Sequence, residues 1–228
     1  FMEFTALLQE RLPGVIAIDG KTLRGSHDRK NDKAALHCVS AWGDANRLVL
    51  GQVMTEEKSN EITAIPKLLA LLDIQGQTVT IDAMGCQKEI AARITAQKGE
   101  YILALKGNQG TLHDDVRLFF EEQKSAGFKG FQGEWHEETD GGHGRIEVRR
   151  CWAADQIDWL REHHDWAGLA SIAMIESSRE INGKRSTETR YYISSHPADA
   201  HLINTSVRAH WGIENSLHWV LDVTCKED

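Results

Sequence analysis

The chain lacks paired cysteines, a bilayer-length apolar run and a basic excess. Its four cysteines, Cys38, Cys86, Cys151 and Cys225, form no CxxC and no regular zinc spacing, which argues against a disulfide framework and reads as reduced thiols. No stretch approaches the ~20 apolar residues that span a bilayer, and no charged-then-apolar leader opens the chain; the expected location is cytoplasmic. Lys and Arg number 26 against 34 Asp and Glu, a formal net charge of -8. That excludes nucleic-acid binding by bulk electrostatics and leaves room only for local contacts. No repeat or low-complexity tract breaks the 228 residues, a length that favours one domain, or one domain with a large insertion.

The residues present have a readable grammar. After an amphipathic start, "FMEFTALLQERL", Pro13 and Gly14 punctuate before the β-rich run Val15 to Ile18. "AALHCVSAW" and "RLVLGQVMT", separated by the turn formers of "GDAN", complete an expected antiparallel meander. In "NEITAIPKLLALLD", Ile62, Ile65, Leu68, Leu69 and Leu72 recur at helical spacing behind Asn60 as a cap. "TVTID" then reads as a strand, "CQKEIAARITAQKG" as a helix closed by Gly99, and "EYILALKG" as a strand. The order is β-β-β-α-β-α-β, with a further helix over residues 110–125. From about 127 to 200, "RIEVRRCWAA", "LASIAMIE" and "TRYYISS" make a β-rich stretch interrupted by a short helix at "DQIDWLREH". Helical period returns near the end, where Val207, Trp211, Ile213, Leu217, Val220 and Leu221 form an apolar side. His210, Glu214, His218 and Asp222 recur beside it at four-residue steps, and Gly212 implies a close backbone approach.

Two runs set a carboxylate among strand residues: "VIAIDGK" with Asp19 and "VTIDAMGC" with Asp82. An unpaired carboxylate in an apolar interior is costly, so it finds a partner, takes up a proton or binds a metal. Two strand-borne aspartates and a helix-borne glutamate suit a pair of hard divalent ions about 3.5–4 Å apart, arranged for in-line attack on a phosphodiester. The plainer reading makes Asp19 a turn residue before Gly20 and Glu214 a solvated helix residue beside its histidines.

"IAIDGKTLRGS", "TIDAMGCQ", "YILALKGNQ" and "VRAHWGIENSLHWVLDV" resemble the hallmark blocks of DDE-type insertion-sequence transposases, in the group of H-repeat-associated proteins. The resemblance runs from Pro13 to Asp228. It implies a ribonuclease H-like α/β fold, a mixed sheet flanked by helices, with a β-rich insertion before the last catalytic helix. Residues 1–126 would be the first part of that core, 127–200 the insertion or a sheet extension, and 201–228 the terminal helix. The implied catalytic and metal-binding residues are Asp19, Asp82 and Glu214, holding two Mg²⁺ or Mn²⁺ ions, with DNA (transposon ends and target) as partner and a homodimer as a possible assembly.

The resemblance has gaps. The Tyr, Arg and Lys that related transposases carry around the glutamate fall here on Val207, His210 and Leu221, leaving Arg208, His210 and His218 as substitutes. The short flanks outside Asp19 and Glu214 give the expectation of a truncated element or a catalytic core. DNA contacts are expected at Lys106 and Asn108, with Gln109 beside them, at Arg145, Arg149 and Arg150 near His143, and at Arg208. Solvated turns, or an edge strand with protective charges, explain the first two groups equally. His210, Glu214 and His218 could also share zinc, and protonation of the two histidines near pH 6 would oppose a neighbouring metal. Cys86 reads as a small buried residue. An inactive remnant and a general metal-dependent nuclease are the rival functions.

Overall fold

The computed structural model describes residues 14–27, 35–55, 61–142 and 145–226; the amphipathic start, the Asn60 cap and His143 lie outside these described residues. The chain forms two compact units, one made of the residues through Tyr101 together with those from Ser206 onward, the other of Ile102–Thr205.

The first unit contains β1 (Val15–Leu23), β2 (Leu36–Gly43), β3 (Leu48–Thr55), α1 (Glu61–Leu69), β4 (Thr78–Ile81), α2 (Lys88–Ala96) and the start of β5 (Glu100–Leu105). Its strands run β3-β2-β1-β4 with β5 next. β1 is antiparallel to β2 and parallel to β4. A three-strand meander followed by a helical crossover into β4, parallel to β1, and then by α2 and β5 is the expected β-β-β-α-β-α-β order, and it is the ribonuclease H-like arrangement.

The sheet has two distinct faces because side chains alternate along each strand. On one, α1 lies over Gly51 with Leu68 and Leu72, and over Ile81 with Ile65 near Gly85. On the other, Ala17 and Trp42 pack with Ile213, Val49 and Leu217. A register shift between Ala41 and Trp42 lets both faces close: Ala41 pairs with Gly51, but Trp42 with Val49, so the intervening Leu50 is the extra residue of a bulge. The α1 stripe differs from the spacing read in the sequence. Ile62 is 39% exposed and Glu61 is 5% exposed, so the face turns towards a buried carboxylate instead of an isoleucine.

In the second unit β5 is followed by α3 (Thr111–Ser125), β6 (Glu134–Gly142), β7 (Arg145–Ala154), α4 (Asp158–Arg161), β8 (Ser171–Ile181) and β9 (Lys184–Ser194). The order is β5-β9-β8-β7-β6, antiparallel throughout. α3 buries Leu112, Val116 and Phe120. β6 has a sequence, "EWHEETDGG", too acidic and Gly-rich to read as a strand. Its presence makes β7 an interior strand, so the edge-strand explanation of the β7 arginines is overturned.

The chain returns through α5 (Ala200–Gly212), a π-helical segment (Ile213–His218) and α6 (Trp219–Val223). Among the described residues no helix is long and apolar enough to cross a membrane. Cys38, Cys86 and Cys151 are buried free thiols, and Cys225 is exposed.

Candidate active site

The site grows from strand register. Ala17 pairs with Thr80 and Ile18 with Ile81 in the parallel β1–β4 ladder. One step further along each chain stand Asp19 and Asp82, side by side where the parallel ladder ends. Both are half-buried, and Asp82 lies just beyond β4. Asp82 therefore sits at a strand end, whereas Asp19 lies mid-strand, where β1 runs on beside β2 after its ladder with β4 has stopped. Asp82 Oδ1 accepts the N–H groups of Met84 and Gly85 at 3.0 and 3.2 Å, a local turn that fixes its carboxylate.

The terminal helix supplies the third carboxylate. Thr80 Oγ1 and His210 Nδ1 share a hydrogen bond of 3.0 Å, tying α5 to β4 two residues before Asp82. Gly212 makes the approach possible, since a Cβ there would lie 3.0 Å from Asp44 Oδ1 and 3.3 Å from Trp42 Nε1. This is the close contact its place in the sequence implied. Glu214 follows on the π-helical segment, where the Trp219 N–H donates to the Glu214 carbonyl five residues back. Such an i→i+5 turn takes more residues than an α-turn and recurs at functional sites. A four-residue step, just over one turn in an α-helix, then falls short of one, which keeps Glu214 and His218 on a common side.

A cavity of about 430 Å³ opens here, lined by Asp19, Lys21, Arg24, Glu214, His218 and Asp222 among others. His218 Nδ1 stands 3.5 Å from Asp19 Oδ2, and Lys21 Nζ 2.5 Å from Asp222 Oδ1. Burial pushes the Asp19 carboxyl up to about 7; the Gly20 N–H opposes this, while Asp82, Glu214 and Glu61 add to it by repulsion. Burial also holds the His218 imidazole down to about 4, with Lys21 reinforcing it and Asp222 opposing. Against the expectation that His218 gains a charge near pH 6, its burial disfavours the imidazolium.

Beneath Asp19, on the α1 side, lies a pair the sequence reading missed. His37 Nε2 and Glu61 Oε1 stand 2.5 Å apart, and His37 Nδ1 is 3.0 Å from Thr22 Oγ1. Both partners are nearly inaccessible, at 1% and 5%. Gly20 leaves the room: a Cβ there would overlap Glu61 Oε1 and come within 2.6 Å of His37 Nε2. The available signal was a lone histidine inside the apolar "AALHCVSAW", which requires a buried partner.

The donor set of Asp19, Asp82 and Glu214 consists of hard oxygens, and the repulsion that Asp82 and Glu214 exert on Asp19 is what a divalent cation relieves. In this chemistry the residues fit such an ion. Among the described residues no three His, Cys, Asp or Glu side chains are already arranged to hold a metal ion. That applies to the proposed carboxylates and equally to a His210–Glu214–His218 zinc site.

The remaining predicted residues are placed as follows. Lys106 and Asn108 are exposed at the 3₁₀ turn after β5, and Arg208 is half-buried on α5. Arg149 donates to Glu138 at 3.0 Å and Arg150 to Glu137 at 2.5 Å, and Arg145 pairs with Glu147. Each β7 arginine is thus engaged by a carboxylate. Cys86 is fully buried, and burial pushes its thiol up to about 12, an inert cysteine as expected.

Residues 10–228 match the family described as Transposase DDE domain. "Putative transposase YncI" of Escherichia coli O157:H7 is 46% identical over all of this chain and 59% of its own length. "H repeat-associated putative transposase YhhI" of E. coli K12 is 43% identical over 94% of this chain and 57% of its own. A protein of the dhlA 3′ region of Xanthobacter autotrophicus is 52% identical over 81% of this chain and 61% of its own. The chain therefore spans about three fifths of the length of the curated relatives it matches. Among solved structures, the piggyBac transposase synaptic complex with hairpin DNA covers 93% of this chain and 41% of its own, at 12% identity and a TM-score of 0.49.

Proposed function

Because this chain belongs to the DDE transposase family, we propose that Asp19, Asp82 and Glu214 form the catalytic centre of a DNA-cleaving and strand-transferring enzyme. The observation that carries this is the Asp19 carboxyl, raised to about 7 by burial and then by the charges of Asp82 and Glu214, groups from three separate segments.

The three carboxylates would hold two Mg²⁺ or Mn²⁺ ions. When bound, such ions activate water or a DNA 3′-hydroxyl and stabilise the leaving oxygen. The chain's own residues prepare the place. Adjacent parallel strands present Asp19 and Asp82, the turn at Met84 and Gly85 orients Asp82, and the Thr80–His210 bond brings the helix that carries Glu214. Asp19 must release its proton before it can act as a ligand, and its raised pKa makes that release part of metal binding. His218 stays neutral beside it and adds no competing charge.

DNA is the proposed substrate and partner, as transposon ends and target, with a homodimer bringing two ends together. Lys106, Asn108 and Arg208 are proposed contacts. Arg145, Arg149 and Arg150 would reach phosphate by exchanging their present carboxylate partners.

The test is thermal melting with and without Mn²⁺, joined to a cleavage assay on duplexes carrying repeat ends. Mn²⁺ should raise the melting temperature by mass action, and Asp82→Asn should diminish that rise and abolish cleavage. An equal rise in wild type and variant would remove Asp82 from the metal site.

A further inference from the structure

We infer that Asp222 is an internal stand-in for a DNA phosphate, holding Lys21 ready beside the carboxylates until a phosphodiester displaces it. This rests on the proposed reading of the site as a DNA-processing centre.

Lys21 follows Asp19 by two residues on β1 and so shares its face. Its side chain is only 13% exposed, yet it lines the same cavity as Asp19 and Glu214. Three carboxylates, Asp19, Glu214 and Asp222, line that cavity beside it. A phosphodiester is anionic, and an ammonium group lining this cavity offers one of its oxygens a charged partner. Lys21 and Arg24 are the lysine and arginine of its lining.

The partner of Lys21 has the marks of an exchangeable ligand. Asp222 is the more exposed member of the pair, at 30%, and sits on the short α6. Its Oδ1 approaches Lys21 Nζ to 2.5 Å but makes no aligned hydrogen bond, so the contact is coulombic. A second polar atom in the cavity also awaits a partner: His218 Nε2 is buried without one, on a side chain that is 8% exposed as a residue. A carboxylate and a phosphate present the same kind of anionic oxygen to an ammonium group. Incoming phosphate can therefore take over Lys21 while Asp222 swings to solvent. A purely structural ion pair has no reason to place its cation in this cavity.

Opposite signs for the two partners provide the test. Fluorescence anisotropy with a short labelled duplex, at several salt concentrations, should give several-fold weaker binding for Lys21→Gln, with the slope of log affinity against log salt smaller by about 0.9, one phosphate contact. Lys21→Arg should restore it. Asp222→Asn should tighten binding several-fold by removing the competitor, and the double variant should bind as weakly as Lys21→Gln. Equal weakening by Lys21→Gln and Asp222→Asn would show a structural pair and overturn the inference, as would an unchanged affinity in Asp222→Asn or no duplex binding by the wild type. If Lys21→Gln does not fold, Asp222→Asn and Lys21→Arg still decide the matter. The Mn²⁺ melting shift is read separately: its absence in the wild type would sink the metal centre, whereas its presence with a failed Asp222→Asn result would sink only the role of Lys21.

Discussion

Thr80 and His210, 130 residues apart in the chain, share a 3.0 Å hydrogen bond that fastens the glutamate-bearing helix to the strand leading into Asp82. Thr80 is 2% exposed, so removing its hydroxyl leaves His210 Nδ1 facing an apolar side chain. Thr80→Val keeps the shape of the residue and should cost about 1 kcal/mol of stability in urea titrations. It should also reduce the Mn²⁺ melting shift, because Glu214 loses its anchor to β4. An unchanged metal response would limit the bond to a structural role.

Gly20 and Gly212 test the two faces of the β1–β2 region. Gly20→Ala drives a methyl into the buried His37–Glu61 pair, which has no room to yield. It should destabilise by about 1–3 kcal/mol, as overpacking does. Gly212→Ala, whose nearest neighbour lies at 3.0 Å, should cost less. Urea midpoints at constant m-value give the comparison, and the reverse ranking would mean that α1 moves more easily than the terminal helix.

Asp19 sets a pH signature on metal-free stability. Its folded pKa of about 7 exceeds the ordinary 3.8, so folding favours the protonated form. Its contribution is full below the ordinary value and is lost as pH rises through about 7. Asp82, Glu214 and the His37–Glu61 pair face the same carboxyl, with Lys21 and His218 beside it; His218 does not titrate in this window, being held to about 4. Asp19→Asn should therefore melt progressively higher relative to wild type as pH rises from about 4 to about 7 without metal, and the difference should level off above that. A constant difference across that range would assign the effect to packing.

Much of this architecture was legible in the sequence because apolar residues fix strand parity. "VIAID" and "VTID" each place their aspartate in step with buried neighbours, and the β-β-β-α-β-α-β order followed from periodicity together with turn and cap residues. The missed features depend on partners far along the chain. His37 and Glu61 look unrelated until the fold makes them adjacent. The same holds for Lys21 and Asp222, 201 residues apart by number (222 less 21). β6 escaped notice because an edge strand of acidic residues carries no apolar alternation. The π-helical turn was invisible for a different reason. Four-residue spacing in "HWGIENSLHWVLD" fits an α-helix equally well, and only the hydrogen bond from Trp219 to Glu214 distinguishes them.

Metal binding should release a proton that comes from Asp19 and not from a histidine. At about pH 6 a carboxyl with a pKa near 7 is mostly protonated, whereas an imidazole held to about 4 is already neutral. A cation that needs the Asp19 carboxylate must then expel close to one proton, and its affinity should rise with pH up to about 7 and level off above it. Calorimetry of Mn²⁺ binding in buffers of different ionisation enthalpy measures this release directly. His218→Gln should leave both the proton count and the pH profile unchanged, since neutral His218 contributes neither charge nor proton there. Asp19→Asn should abolish the release together with most of the affinity. A profile that flattens in His218→Gln would instead mean that the imidazole is charged in the folded protein, and that Asp19 is held ionised by it.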